Sequence, residues 1–78
     1  MNKELDMYER IGFRLSECRK NNRLSQSELS SAINIPQTTY ANYELSKRKI
    51  PLNLLEKIAN YYKLPIGYFL ESNMPEIV

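Results

Sequence analysis

Four side chains near the middle of the chain, Gln37, Thr38, Ala41 and Asn42, share one kind of chemistry. Their spacing gathers them on one side of a helix, and none is charged. Glutamine and asparagine each carry a donor and an acceptor on one planar amide, threonine adds a hydroxyl and a methyl, and alanine is small. Such a set suits the edges of base pairs. Gln and Asn can hydrogen-bond adenine N6 and N7 in bidentate fashion, and Thr can touch a thymine methyl. Catalysis finds little support elsewhere in the chain. There is no histidine and only one cysteine, which excludes a zinc site and histidine-based acid–base chemistry. Two glycines, Gly12 and Gly67, cannot build a phosphate-cradling loop. Carboxylates are scattered singly, and Ser25 and Ser27 read as helix-capping residues, not as nucleophiles. The chain is not expected to be an enzyme, and no cofactor, metal or small-molecule ligand is expected.

The reading side chains need a helix beneath them, and the flanking sequence supplies it. Ser25 with Glu28 makes a capping box, so a helix is predicted from Gln26. Leu29 and Ile33 form its apolar ridge. Asn34 tolerates a left-handed backbone and can end it. Pro36 suits the start of the next helix, because its missing N–H would have no helical partner there. Tyr40 and Tyr43, three apart, give that second helix a buried side, which leaves Gln37, Thr38, Ala41 and Asn42 on the outer one. The unit spans 26–45.

At 78 residues there is room for a single domain with a small core, assigned to 7–71 with tails at 1–6 and 72–78. Asp6 and Glu9 form a second capping box, so helix 1 is predicted to start near Met7. Met7, Ile11, Leu15 and Cys18 make its core stripe, and it is expected to end around Asn21 or Asn22, with Asn22 a candidate for the left-handed position. Cys18 on that stripe reads as a small buried hydrophobe. Pro51 introduces a fourth helix with Leu55, Ile58, Ala59 and Tyr62 at i, i+3, i+4, i+7. Leu64-Pro65 breaks it, and Ile66, Phe69 and Leu70 form a short fifth helix. Tyr61, Tyr62, Tyr68 and Phe69 read as core and interface, and the apolar Ile77 and Val78 as a tail able to dock on a partner subunit. The periodicity is helical throughout, which predicts an all-α fold. No stretch is apolar enough to span a bilayer and no secretory signal precedes the fold, so a cytoplasmic location is expected.

The net charge is only +2. Its distribution is uneven: residues 10 to 49 hold eight Lys/Arg against Glu17, Glu28 and Glu44, a local excess of +5. Lys47, Arg48 and Lys49 are the densest basic run. Positive charge thus concentrates around the reading segment, as phosphate binding requires.

The segment QSELSSAINIPQTTYAN resembles the helix-turn-helix of the phage-repressor family (lambda repressor/Cro-like, XRE-type). Gln26 and Gln37, eleven residues apart, match the two glutamines of lambdoid repressors. Leu29, Ser30, Ile33, Asn34, Ile35, Tyr40 and Tyr43 fall where that family has apolar, small, apolar, glycine, apolar, apolar and apolar residues. The match continues from about Ile11 to Leu70. The resemblance implies a compact five-helix lambda-repressor-like domain that reads double-stranded DNA in the major groove with helix 3. It further implies a transcriptional regulator, a repressor, acting as a homodimer on a palindromic operator with half-sites about 34–36 Å apart. Base reading then falls to Gln37, Thr38, Ala41 and Asn42. Phosphate contacts fall to Gln26, Thr39, Lys47, Arg48 and Lys49, with Arg10 and Arg14, placed on the polar side of helix 1, as further candidates. The resemblance also implies an Arg19–Glu44 ion pair tying helix 1 to helix 3. The chain departs from the family at Arg23, where relatives have Gly or Asn, and at Ser46, where most have glycine, so a differently shaped turn is expected there. The competing reading is an antitoxin- or adaptor-like helical module that keeps the core and binds protein instead of DNA. The uncharged, base-competent outer face argues for DNA.

Overall fold

Every helix long enough to need a start signal has one. In the computed structural model, which describes residues 5–72, α1 (Met7–Asn21) opens on Asp6, whose carboxylate accepts from the Glu9 N–H at 2.8 Å. The Glu9 carboxylate accepts in turn from the Asp6 N–H at 3.0 Å. Ser25 and Glu28 repeat the same reciprocal pair at the head of α2 (Gln26–Ala32). Each box satisfies two N–H groups that the helix itself cannot. Pro36 and Pro51 stand one position before α3 (Gln37–Glu44) and α4 (Leu52–Tyr62), with φ near −63° and −64°. A four-residue helix, α5 (Gly67–Leu70), completes the all-α, five-helix fold; no strand occurs among the described residues.

The first four helices also stop in one way. Arg23, Asn34, Ser46 and Lys63 all take φ between 56° and 60°, and none is glycine. At each, the left-handed residue's N–H and the next residue's N–H return to carbonyls of the last helical turn, as in Arg23 to Lys20 at 3.0 Å and Leu24 to Arg19 at 3.0 Å. The left-handed residue after α1 is therefore Arg23 and not Asn22, whose side chain donates back to the Cys18 carbonyl at 2.7 Å. Ser46 adopts the conformation that a glycine would take there at lower cost. Leu24, Ile35 and Leu64, one residue after three of these turns, pack onto the core and anchor them. The corresponding residue after α3 is Lys47, which is exposed.

The core gathers Ile11, Leu15 and Cys18 from α1, Leu29 and Ile33 from the end of α2, and Tyr40 and Tyr43 from α3. Ile50, Leu55, Ile58, Ala59 and Phe69 close it from the C-terminal half. Met7 departs from the expected stripe: it is 41% exposed, and Tyr8 packs against the core instead. Burial pushes the Cys18 thiol up, which keeps it protonated and apolar in character. α1 packs against α3 and α5, and α2 against α3. The α1–α3 crossing is close because Gly12 has no side chain. A Cβ there would overlap the Glu44 carbonyl oxygen and lie 2.9 Å from that of Tyr43. Residues 1–4, and 73–78 with Ile77 and Val78, lie outside the described residues.

Candidate nucleic-acid interface

α3 is buried on one side and open on the other. Tyr40 and Tyr43 are 0% and 6% exposed, whereas Gln37 and Thr38 are exposed and Ala41 and Asn42 half-buried. The four candidate reading residues thus share the outer face, and Thr39 lies half-buried at its edge.

A polar network behind α3 fixes its position. Arg19 Nε donates to Glu44 Oε2 at 2.7 Å and Nη2 to Oε1 at 3.3 Å, a bidentate pair between α1 and the last residue of α3. Arg19 Nη1 also donates to the Leu24 carbonyl at 2.7 Å, which ties the pair to the turn before α2. Gln26 Nε2 donates to Glu44 Oε1 at 3.0 Å, so one carboxylate joins all three helices. Burial alone would raise the Glu44 pKa; hydrogen bonding, that from Arg19 foremost, outweighs it and holds the carboxyl below its usual range. The Arg19 guanidinium is held above its own, chiefly by the bond to Glu44. The Tyr40 hydroxyl is buried beside the network without a hydrogen bond of good geometry, and burial pushes its phenol strongly up.

Gln26 therefore does not stand free at a helix start. Its amide is oriented by Glu44, which leaves the carbonyl oxygen and one N–H for a partner. Nothing in the local sequence pairs Gln26 with Glu44, eighteen residues apart; only the packing of α2 against α3 brings them together.

The basic turn after α3 divides. Lys47, Arg48 and Lys49 are all exposed, and the Lys47 and Arg48 N–H groups point back to the Asn42 carbonyl. Lys49 Nζ lies 5.5 Å from the Tyr8 ring centroid, against α1. No such contact is found for Lys47 or Arg48 among the described residues.

Two expected phosphate ligands are placed differently. Arg14 is 2% exposed; it is not on the polar side of α1. Its Nη1 meets Glu71 Oε1 at 3.5 Å and its guanidinium sits 5.6 Å from the Tyr68 ring centroid, while Nε and Nη2 are buried without partners. Arg10 is half-buried, donating to the Leu5 carbonyl at 2.8 Å and the Glu71 carbonyl at 3.3 Å. With Arg19, three of the eight basic residues behind the local charge excess serve the fold. Of those eight, the cations open to solvent are Lys20, Arg23 and the basic turn.

A family model described as Helix-turn-helix matches residues 15–69, well over half of the chain. The HTH-type transcriptional regulator YobD of Bacillus subtilis is 33% identical over 57 residues, covering 73% of this chain and 51% of that protein. YqaE of the same organism, also described as an HTH-type transcriptional regulator, is 30% identical over 64 residues, covering 82% and 55%. Both are described as uncharacterized. The chain spans about half the length of these curated relatives.

Proposed function

The chain belongs to the lambda repressor-like helix-turn-helix family, and from that premise we propose that it is a sequence-specific double-stranded DNA-binding transcriptional regulator, acting as a repressor. The observation that carries this reading is the outer face of α3. It holds Gln37, Thr38, Ala41 and Asn42, is uncharged and solvent-accessible, and is held from behind by the Arg19–Glu44–Gln26 network. Amides and a threonine in that position suit major-groove edges. Gln26, Thr39, Lys47 and Arg48 are the proposed phosphate contacts, which set position and carry no sequence information.

A domain of this size makes few contacts alone. Two copies on a palindromic operator would double them, with half-sites about 34–36 Å apart. The regulator is proposed to work in the cytoplasm and to carry no catalytic activity.

Selection from a random duplex library, followed by anisotropy titration, tests the reading. A symmetric preferred site is expected. Gln37→Ala should weaken binding to that site by about 1–3 kcal/mol and relax one position per half-site, while binding to random duplex stays unchanged. Equal weakening on both duplexes would assign Gln37 to phosphate. Absence of any salt-sensitive binding to random duplex would favour the protein-interaction module instead.

A further inference from the structure

We infer that Leu45 is a specificity-determining residue that contacts a thymine C5-methyl group; the inference rests on the DNA-reading assignment of α3. Leu45 is 60% exposed, and it belongs neither to the core nor to the apolar residues packed against it. Folding gives it no task.

Its position gives it one. Leu45 caps α3 with φ −85° and ψ 0°, and its N–H reaches the Ala41 carbonyl at 3.1 Å, so the helical register extends to it. At about 100° per residue, Leu45 projects between Thr38 and Ala41, nearly opposite Tyr40 and Tyr43. An isobutyl group thus stands at the C-terminal end of this face, within the arc that its side chains span. The left-handed Ser46 then turns the chain, and Lys47 and Arg48 follow in solvent.

That setting selects the occupant. Among the groups a base pair presents in the major groove, only the thymine methyl is apolar. A protein partner covering Leu45 would also bury the amides of Gln37 and Asn42 and crowd two cations, each needing compensation. DNA supplies acceptors for the amides, phosphates for the cations and a methyl group for the leucine.

Deoxyuridine supplies the test, because it removes only that methyl group and keeps the hydrogen-bonding edge. The probe is the best duplex from random-library selection with the full chain, with each thymine replaced in turn by deoxyuridine. At one position per half-site the wild type should lose roughly 3–5-fold, the worth of one buried methyl group. Leu45→Ala should bind the thymine duplex weaker by a similar factor and be indifferent to the swap at that position. Leu45→Met, which keeps an apolar side chain of similar reach, should retain the discrimination. Because Leu45 is exposed, thermal melts of both variants should match the wild type, which separates lost contact from lost fold. Full thymine-over-deoxyuridine discrimination in Leu45→Ala overturns the inference, as does a site with no sensitive position. In either case an intact response to Gln37→Ala leaves the DNA-reading assignment standing. If no duplex is bound at low salt, both fail together.

Discussion

Arg14 and Arg19 lie five residues apart on α1, both largely withdrawn from water, and they are partnered very differently. Arg19 spends its donors on the Glu44 carboxylate and the Leu24 carbonyl, and its partner is itself fixed by Gln26. Arg14 has one long contact, to a carboxylate that is 62% exposed, plus the face of Tyr68. Two of its nitrogens have no acceptor. A buried ion pair adds little net stability over apolar packing, because desolvation offsets most of the attraction. What it adds is direction. The well-ordered pair stands behind α3, the proposed reading helix, where orientation matters; the poorly satisfied charge stands at the α1–α5 contact, where only closure of the core is needed.

Breaking the ordered pair should give the largest effect. Arg19→Ala or Glu44→Ala alone strands a buried charge and should cost about 3–5 kcal/mol in denaturant unfolding. The double replacement Arg19→Met with Glu44→Leu should recover much of that loss; additive losses would show that the two are not coupled. Acid should act through the same carboxylate. The Glu44 pKa is depressed in the fold, so its contribution is fully present above the unfolded-state value of about 4.3 and is lost as pH falls through the lower folded value. Glu44→Gln should therefore flatten the acid limb of melting temperature against pH, and an unchanged limb would place the acid sensitivity elsewhere.

Arg14→Met should cost no more than about 1 kcal/mol and can even stabilise, since it removes a cation with unmet donors. A loss as large as that of Arg19→Ala would erase the contrast between the two sites. The smallest effect tests the same distinction outside the core. Lys49→Ala should cost at most about 1 kcal/mol through its contact with Tyr8 and leave the salt dependence of DNA binding unchanged. Replacing Lys47 and Arg48 together should leave stability unchanged and flatten the slope of log affinity against log salt by roughly 1–2 per subunit. Equal slopes for both variants would mean that phosphate anchoring lies elsewhere, at Gln26 and Thr39.

What could be read from the sequence was local or periodic. The Asp6–Glu9 and Ser25–Glu28 boxes are complete within four residues, and both helices start where those pairs require. Tyr40, Tyr43, Leu55, Ile58 and Ala59 follow helical spacing and are buried. The Arg19–Glu44 pair became visible through family resemblance, not spacing. Arg14 sits on the flank of the α1 stripe, where the wheel leaves burial open. Tyr68 and Glu71, more than fifty residues away, decide it. Propensity favoured Asn22 for the left-handed position, but the apolar anchor at Leu24 sets the turn one residue later, at Arg23. The need for a glycine at position 12 was not legible, because the carbonyls it faces, those of Tyr43 and Glu44, belong to a different helix.

At Gly12 the distance between α1 and α3 is set by main chain against main chain, and the atoms in contact are the carbonyls that end α3. Neither side can yield by turning a rotamer. A methyl group at position 12 would have to be accommodated by moving the end of α3 as a body, with Asn42 and Leu45 carried along and the Gln26–Glu44 link pulled at its other end. The domain thus has a gauge on its far side. A substitution there would re-aim the outer face without altering any residue on it, and under the proposed DNA reading it would shift operator preference.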